Sequence, residues 1–384
     1  MRDLFLLEDN VVFLNHGSFG ACPRPVFSVY QEWQRRLEAQ PVRFLGRELW
    51  GHLAEARQAL ANYLNAAAAD LVFVPNATFG VNVVARSLAL GPGDEVLATN
   101  HEYGACDRTW QFLAQKRGFA YIRQPVPLYQ MTATDLLEAV WAGVTPQTKL
   151  IFVSHITSPT AVTFPVAAIC ARAREAGILT LIDGAHAPGQ IPLDITAIAP
   201  DFYTGNCHKW LCAPKGAAFL YARPKVQPLI EPLVVSWGWG EERQFTTGTD
   251  FIDYLLWQGT DDPAAYLSIP AAIEFQAGHN WTKARQRCHT LLRQAIVALE
   301  AITGRASPYP DHTAYHQMAI VPLPPLDDPA KLKEQLYQTY QIEIPVIKWN
   351  NEFFVRISVQ VYNTSGDLKQ LTSSLTQLVP LLLA

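Results

Sequence analysis

A lysine and an aspartate are the residues of this chain whose types and spacing indicate chemistry most directly. Lys209 lies in Asn206-Cys207-His208-Lys209-Trp210, and Asp183 ends an apolar run 26 residues earlier. A lysine amine forms a Schiff base with an aldehyde, and a carboxylate keeps a ring nitrogen protonated so that the ring accepts electrons. Pyridoxal phosphate requires both groups from a protein. Taken singly, the two residues also have ordinary interpretations, a solvated lysine and a turn or helix-capping aspartate.

Two segments are typical of phosphate binding. Ala77 and Thr78 follow a strand predicted at 71–74 and begin a predicted helix, where free backbone N–H groups and the helix dipole attract an anion. Thr260, in a loop with Trp257, is a second candidate donor to a phosphate. The alternatives are a plain helix cap at Thr78 and an ordinary turn at Thr260.

Ring-bearing side chains follow the predicted strand ends. Tyr103 comes after the strand predicted at 95–99, at the edge where open α/β sheets bind ligands, and its π-face suits stacking on a flat ring better than that of His101. His186, three residues after Asp183, is placed to hydrogen-bond a ring oxygen or to cap the turn. Packing under a loop is the alternative for Tyr103 and His101.

An arginine in a late strand suggests carboxylate recognition. In the strand predicted at 353–360, Arg356 shares a face with Ser358 and Gln360, while apolar side chains occupy the other face. A guanidinium beside a polar row is suited to bidentate capture of a substrate carboxylate. A surface strand with an exposed arginine is the alternative.

The elements that position these residues are predicted from periodicity and turn signals. Apolar runs predict strands at 71–74, 95–99, 149–154, 178–183 and 216–221, and the helix predicted at 166–176 ends at Gly177. Strand, helix and strand at this spacing form a crossover unit, which implies a parallel sheet with both faces covered. An amphipathic helix is predicted at 47–64, and 228–262 is interpreted as a long loop or interface segment.

The last third of the chain predicts a smaller α+β domain. It contains a long helix predicted at 263–302, strands at 315–321, 342–348 and 353–360, and helices at 329–339 and 366–382. We therefore predict a large α/β domain over 1–262, with an N-terminal segment that reaches the site, and a small domain over 263–384.

Composition excludes several classes of protein. With 49% hydrophobic and 17% charged residues, the 384-residue chain is expected to fold, and its length favours two domains. A net charge of −4 makes nucleic acid and anionic membrane poor partners. The N-terminus does not resemble a signal peptide, and no apolar stretch approaches the roughly 20 residues of a membrane span. Six scattered cysteines without a C-x-x-C pair favour a reduced cytoplasmic protein without a disulfide framework or metal site.

Taken together, the motifs resemble those of the class V, fold-type I pyridoxal-phosphate enzymes, and within them the isopenicillin N epimerase-like group. The resemblance extends over nearly the whole chain, in the order Leu14-Asn15-His16-Gly17-Ser18-Phe19-Gly20, Pro75-Asn76-Ala77-Thr78, His101-Glu102-Tyr103-Gly104-Ala105, Ile182-Asp183-Gly184-Ala185-His186, Asn206-Cys207-His208-Lys209-Trp210, Trp257-Gln258-Gly259-Thr260-Asp261 and Arg356 to Asn363. It implies a large domain with a mainly parallel seven-stranded sheet covered by helices, followed by the smaller C-terminal domain.

The resemblance also implies roles for matching residues. Lys209 would bind pyridoxal 5′-phosphate covalently, Asp183 would pair with its ring nitrogen, His186 would support the ring and Tyr103 would stack on it. The phosphate would be held by Ala77, Thr78 and His208, and by Thr260 from the second subunit of a homodimer. Arg356 would hold a substrate carboxylate, and Asn15 and His16 would lie near the substrate.

Two departures from the family pattern bear on the reaction. Related sulfur-abstracting enzymes carry a nucleophilic cysteine in a late mobile loop, whereas no cysteine follows Cys288 here, so a persulfide-relay desulfurase is disfavoured. Ser158 stands where many relatives have an asparagine near the ring oxygen.

The predicted function is chemistry at Cα of an amino acid through an external aldimine, with epimerisation as the first hypothesis. Epimerisation needs a second acid, for which His16 and Tyr103 are candidates. A C–S lyase or an aminotransferase remains an alternative, because all three reactions share a carbanion at Cα. A catalytically inert cofactor-binding sensor and a structural oligomer are further alternatives.

Overall fold

The computed structural model describes residues 1–243 and 247–383. Residues 244–246, which belong to the segment predicted as a loop or interface, lie outside the described residues.

A seven-stranded sheet forms the centre of the described structure. Its strands, in chain order, are β1 (Leu71–Val74), β2 (Glu95–Thr99), β3 (Ala120–Gln124), β4 (Thr148–Ser154), β5 (Leu179–Asp183), β6 (Phe202–Asn206) and β7 (Ala218–Ala222). They lie side by side in the order β1-β7-β6-β5-β4-β2-β3, and only β7 runs antiparallel to its neighbours. The mainly parallel sheet of seven strands is therefore confirmed.

Both faces of this sheet are buried, as its near-continuous apolar strands predict. Along β4, Ile151 and Val153 pack into one hydrophobic core, while Leu150 and Phe152 pack into a second core on the opposite face. The two cores are closed by flanking helices, Leu49–Leu64, Ala77–Ser87, Gly104–Arg117, Ala133–Trp141, Val166–Glu175, Ile195–Ile198 and Asp250–Leu256.

The carboxyl ends of the parallel strands meet at one edge of the sheet, where the candidate site lies. Ser154 at the end of β4 pairs with Asp183 at the end of β5, and Asp183 pairs in turn with Thr204 near the end of β6. Lys209 follows β6 by three residues. Strand register thus brings side chains from distant parts of the sequence together.

A smaller C-terminal domain contains a three-stranded antiparallel sheet, formed by β8 (Met318–Pro322), β9 (Val346–Trp349) and β10 (Glu352–Ser358) in the order β9-β10-β8. Its helices are Trp281–Thr303, Pro329–Tyr340 and Ser365–Leu378. The N-terminal strand Val12–Phe13 pairs in parallel with Ile342–Glu343, so both chain ends belong to this part of the molecule. The domain boundary at residue 262 stays a prediction.

Two sequence predictions for the middle of the chain are wrong. The long helix predicted at 263–302 is divided into Ala264–Leu267, Ile269–Gly278 and Trp281–Thr303. The break before Trp281 occurs because Asn280 adopts a left-handed conformation with φ 47° and its side chain caps the last helix at Lys283. The break at Ser268 lies beside Pro270, which occupies the first turn of the next helix. The segment predicted as a loop contains the helix Asp250–Leu256, which Thr249 caps.

Other boundaries differ from prediction in smaller ways. The strand predicted at 342–348 divides into two pieces on either side of Ile344 and Pro345. The last helix gives way to a 3₁₀ turn, Val379–Leu381, at Pro380. The helix Arg24–Ala39 and the strand β3 have no counterpart among the predicted elements. In the described part of the chain, no helix combines the length and apolarity needed to cross a membrane.

Candidate active site

A cavity of about 510 Å³ lies at the carboxyl edge of the sheet. It is lined by Ser18, Phe19, Pro75, Asn76, Ala77, Thr78, Tyr103, Ser154, Ile156, Ser158, Asp183, Ala185, His186, Asn206, His208, Lys209 and Gly216. Seven of the predicted cofactor residues therefore share one cavity, although they come from four separate segments. Its volume lies within the roughly 300–1,000 Å³ typical of small-ligand sites.

Lys209 presents its amine to this cavity beside an imidazole. Its Nζ lies 3.2 Å from Nε2 of His186, and the indole N–H of Trp210 donates to the other ring nitrogen, Nδ1, at 3.2 Å. Because Nδ1 accepts that bond, the neutral imidazole carries its proton on Nε2 and directs an N–H toward the Lys209 amine. Burial, and then the positive charges of Lys209 and Arg356, hold the pKa of His186 well below its usual value, so the ring stays neutral.

The environment of Lys209 favours a free amine. Burial lowers the pKa of Lys209 to about 8, and the positive charge of Arg356 acts in the same direction. The opposing negative charge of Asp183 is the smaller effect. A substantial fraction of this amine is therefore neutral at physiological pH and able to attack an aldehyde or accept a proton.

Asp183 is a buried carboxylate that forms no ion pair with any residue the structure describes. Its Oδ1 accepts the Ala185 amide at 2.9 Å, and Oδ2 lies 3.7 Å from the Cys106 thiol. Burial raises the pKa of Asp183. A cation placed against this group from the cavity would compensate its charge, as a protonated ring nitrogen does.

Another part of the cavity wall, at the N-terminus of the helix Ala77–Ser87, presents donors suited to an anion. The side chain of Asn76 caps the helix Ala77–Ser87 through the Phe79 amide, and Asn206 accepts the Ala77 amide at 2.9 Å. The Thr78 amide has no partner among the described residues and lies at the helix N-terminus, where a phosphate is stabilised.

His208 completes this part of the wall. Its Nδ1 donates to the Ala217 carbonyl at 3.1 Å, and burial lowers its pKa to about 4. An incoming phosphate dianion would favour the protonated ring, because the second nitrogen must carry a proton to donate.

Arg356 contacts two residues of the cavity wall. Its guanidinium donates to the Ser158 carbonyl at 2.6 Å and to the Ser18 hydroxyl at 2.9 Å, and its Nε is buried without a hydrogen-bond partner. No carboxylate of the described chain pairs with it, although the residue is only 4% exposed. Burial lowers the pKa of Arg356 to about 10. An anion at this position would compensate a buried cation that has no counter-ion in the described part of the protein.

Besides Arg356, which contacts the cavity wall without lining it, three of the predicted site residues lie outside the cavity lining. Thr260 is exposed and lines a neighbouring pocket with Trp257. Asn15 is buried, donates to Glu343 at 2.9 Å and accepts from Ser18. His16 is fully buried and bonds to the main chain of Lys209.

His101, considered beside Tyr103 for ring stacking, is buried against Trp349, whereas Tyr103 is 46% exposed at the cavity.

Sequence reasoning missed three residues that shape the site. Trp210 fixes the His186 tautomer, Asn206 holds the start of the phosphate-end helix, and Ser18 bonds to Arg356. All three lie inside the motifs that carry the family resemblance, so the sequence marks their positions. Their roles depend on contacts across 24, 129 and 338 residues, which spacing does not reveal.

The residues present fit pyridoxal phosphate. In one cavity, Asp183 offers a negative charge to a ring nitrogen, the Thr78 amide and helix terminus offer donors to a phosphate, and Lys209 offers a neutral amine to an aldehyde. An α/β sheet with this donor set at its carboxyl edge is the architecture of a pyridoxal-phosphate enzyme.

Comparison with known proteins gives the family. The chain belongs to the aminotransferase class-V family, whose sequence profile matches residues 12–371. It is 34% identical to isopenicillin N epimerase of Amycolatopsis lactamdurans, over 98% of this chain and 97% of that protein. It is 29% identical to a putative L-cysteine desulfhydrase 1 of Oryza sativa subsp. japonica, over 97% of this chain and 84% of the relative. The protein is accordingly a pyridoxal-phosphate-dependent enzyme, as predicted.

Solved structures confirm the fold. A complex between the cystine C–S lyase C-DES and its reaction product, cysteine persulfide, superposes with a TM-score of 0.83 at 22% identity, covering 96% of this chain and 98% of that chain. The cysteine desulfurase CsdA of Escherichia coli gives a TM-score of 0.82 at 22% identity, covering 100% and 98%. At this identity the likeness concerns the fold alone.

Proposed function

We propose that the enzyme removes the Cα proton of an amino acid whose carboxylate Arg356 binds, with Lys209 as the attachment point of the cofactor. The observation that carries this proposal is the buried Arg356 guanidinium, which has no anionic partner in the described chain and contacts the wall of the cavity that Lys209 enters. Such a cation is costly to bury unless a ligand supplies the negative charge.

The chain's residues divide the chemistry among them. Bound pyridoxal phosphate supplies an aldehyde for the substrate amine and a ring that accepts the electron pair left at Cα. Asp183 would hold the protonated ring nitrogen, and the N–H of His186 would be available as a donor to the ring. The Lys209 amine would accept the Cα proton, because burial and Arg356 keep this amine neutral near physiological pH.

Epimerisation is the first candidate for the overall reaction. This chain is 34% identical to two relatives named isopenicillin N epimerase, and each alignment covers 97% of the relative's length. Returning a proton to the opposite face of Cα needs a second acid. Tyr103 lines the cavity and suits this role, whereas His16 lies outside the lining.

Elimination of a β-thiol is the second candidate, supported by relatives named as L-cysteine desulfhydrases at 26–29% identity over 95–99% of this chain. This reaction needs the same Cα deprotonation and no nucleophilic cysteine. All six cysteines are buried, and burial raises the pKa of each thiol. A persulfide relay through one of these thiols is correspondingly disfavoured.

We also propose a homodimer in which the partner subunit's Thr260 reaches the phosphate end of each cavity. Thr260 is exposed on its own chain, in an open cleft with Val42, Trp237 and Trp257. Val42 is 75% exposed and Trp237 is 60% exposed, and apolar side chains that protrude from a cleft are typical of a subunit interface.

The test begins with the cofactor. Protein reconstituted with pyridoxal phosphate is reduced with borohydride, and peptide mass spectrometry locates the modified lysine. We expect modification at Lys209, none in Lys209→Ala, and an unchanged result in Lys215→Ala, which removes a nearby part-buried lysine. A reconstituted wild-type protein without a reducible adduct at Lys209 would refute the proposal.

The reaction is then identified by exchange. A panel of amino acids is incubated in deuterated water and followed by NMR. Inversion with deuterium at Cα supports epimerisation, and release of sulfide from cysteine supports elimination. A bound cofactor with no exchange of any substrate contradicts Cα deprotonation and favours an inert sensor.

A further inference from the structure

His16 is fully buried between the two ends of the chain and the lysine loop. Its Nε2 lies 3.0 Å from the main-chain carbonyl oxygen of Lys209, and its Nδ1 lies 2.9 Å from the hydroxyl of Tyr362. The ring also packs against Trp210, with a centroid separation of 5.0 Å, and against Tyr362 at 5.8 Å. None of these contacts faces the cavity.

The partners fix the tautomer of this histidine. A carbonyl oxygen only accepts, so the bond to Lys209 requires the proton on Nε2, while Nδ1 accepts the Tyr362 hydroxyl. The Gln360 amide nitrogen also lies 3.2 Å from Nε2, but it cannot donate to a protonated nitrogen and is placed to donate to the Cys212 sulfur at 3.8 Å instead. Burial lowers the pKa of His16 to about 3, so the ring stays neutral and keeps this pattern over the physiological range. The Lys209 carbonyl also accepts a hydrogen bond from the Cys212 amide at 3.0 Å, so this oxygen accepts two hydrogen bonds.

The segment that follows His16 is pressed against the same main chain. Gly20 has φ 71°, and a Cβ at this position would clash with the carbonyl oxygen of His208 and the Cα of Lys209. The backbone of 16–20 therefore lies directly on the backbone of 208–209. The direction of the Lys209 side chain depends on this backbone, because a side chain leaves its Cα in a direction set by the main chain.

A second histidine holds the other end of the same lysine. His186, whose tautomer Trp210 fixes, lies 3.2 Å from Nζ. Lys209 is thus held at its carbonyl by one imidazole and at its amine by another, and Trp210 contacts both rings.

We propose that His16 is a positioning residue for Lys209: it anchors the main chain of the lysine and thereby sets where the amine meets the cofactor aldehyde. This inference rests on the proposed role of Lys209. It gives His16 a function different from the substrate contact that the resemblance implied, because the imidazole acts from behind the lysine loop.

Two substitutions separate the two nitrogens of the ring. In His16→Gln the side-chain amide nitrogen lies two bonds from Cγ, as Nε2 does, and retains a donor for the Lys209 carbonyl. In His16→Asn the amide lies one bond from Cγ, as Nδ1 does, and reaches toward Tyr362 but not Lys209. Both variants lose the aromatic packing against Trp210, so each controls for the other.

The measurement is the rate at which the apoprotein forms the borohydride-reducible adduct at Lys209, together with the pH midpoint of the cofactor absorbance. We expect His16→Asn to slow adduct formation by about five- to tenfold and to move the midpoint, since one hydrogen bond to the lysine loop is lost. His16→Gln should stay within about threefold of wild type and keep the midpoint. Thermal unfolding of the apoproteins measures the structural cost of each change.

If His16 only stabilises the fold, the two variants should form the adduct at the same rate and with the same pH midpoint. Equal rates and midpoints in the two variants, whatever their stabilities, would overturn the proposal. If His16→Asn does not fold, Tyr362→Phe provides the second test, because it removes the donor that fixes the His16 tautomer. For Tyr362→Phe we expect the pH midpoint of the cofactor absorbance to shift, but by less than the shift expected for His16→Asn. An unchanged midpoint would overturn the proposal. Failure of the wild-type protein to form the adduct would instead refute the role of Lys209.

Discussion

At the scale of single residues, the site is a set of charges that lack charged partners among the residues the structure describes. Asp183 is a buried anion, Arg356 is a buried cation, and Lys209 between them has its pKa lowered to about 8 by burial and by Arg356. A folded protein tolerates such groups where ligands complete them. A cofactor with a protonated ring nitrogen would compensate the charge of Asp183, and a substrate carboxylate would compensate the charge of Arg356.

The first prediction concerns the pH dependence of adduct formation. The Lys209 amine attacks only when neutral, so the rate for the apoprotein should rise with pH through a midpoint near 8. Arg356→Gln removes a positive charge that lowers this pKa, so the midpoint should move upward and the rate at pH 7 should fall. Stopped-flow absorbance between about pH 6 and about pH 11 gives both values, because this range includes the lowered and the ordinary lysine pKa.

The control for this prediction is Arg86→Gln, which removes an exposed arginine that packs over Phe112. Its midpoint should match wild type. A downward or absent shift in Arg356→Gln would mean that the guanidinium does not influence the amine.

The sequence predicts these residues unequally. Lys209, Asp183 and the Thr78 segment follow from residue type and from their place after strands, because strand ends meet at one edge of a parallel sheet. The function of Trp210 could not be predicted, since an indole next to a lysine is compatible with simple core packing. His16 was placed near the substrate because motif resemblance carries over proximity but not the direction of a side chain.

At the scale of elements, the accuracy of prediction follows burial. Strands buried on both faces, β1 and β2, have the predicted bounds because their apolar runs are continuous. The edge strand β3 was missed because three of its five residues are part-buried and two are exposed, so the apolar signal is weak. The long helix 263–302 was predicted as continuous because the left-handed conformation of Asn280 is a tertiary choice that periodicity does not encode.

The phosphate-end helix, Ala77–Ser87, depends on a close contact with β6. A Cβ at Gly80 would clash with the Thr204 side chain, whose hydroxyl is held by the Phe219 carbonyl at 2.8 Å. Gly80→Ala should therefore push the helix away from the sheet, lowering the free energy of unfolding by about 1–3 kcal/mol and weakening cofactor binding. Urea denaturation of the apoprotein and cofactor titration by absorbance measure the two effects.

Gly51→Ala is the matched control for this substitution. Gly51 is also helical but exposed, and a Cβ there meets no atom within 4 Å. Alanine should stabilise that helix by up to about 1 kcal/mol and leave cofactor affinity unchanged. Equal stabilities for the two variants would show that the helix–sheet contact is looser than the structure indicates.

At the scale of the whole molecule, the ends of the chain and its middle are joined at the site. Asn15 pairs with Ser358 in a parallel bridge, and the Leu14 carbonyl accepts the Ser358 amide at 2.9 Å. Arg356, two residues earlier on the same strand, contacts Ser18 from the N-terminal segment and Ser158 from the turn that follows β4 of the large sheet. The carboxylate end of the site thus forms only when all three regions are assembled, whereas the phosphate end leaves Thr260 exposed at another surface.

The proposed dimer makes a prediction that no monomer satisfies. Thr260→Asp would place a carboxylate against the phosphate of the partner's cavity, so the homodimer should lose most cofactor affinity through like-charge repulsion. Lys209→Ala removes the amine and should also be inactive. In a mixed dimer of these two variants, one cavity receives its lysine from one subunit and an intact Thr260 from the other.

Mixing the two inactive variants under conditions that exchange subunits should therefore restore activity and the reducible adduct, which peptide mass spectrometry should find only on the Thr260→Asp chain. Thr260→Ser, which keeps the hydroxyl, should retain cofactor binding on its own. Pairing Lys209→Ala with the double variant Lys209→Ala, Thr260→Asp leaves no cavity with an amine and should restore nothing. Exchange that is verified by mass, yet yields no adduct in the first mixture, would contradict a site shared between subunits.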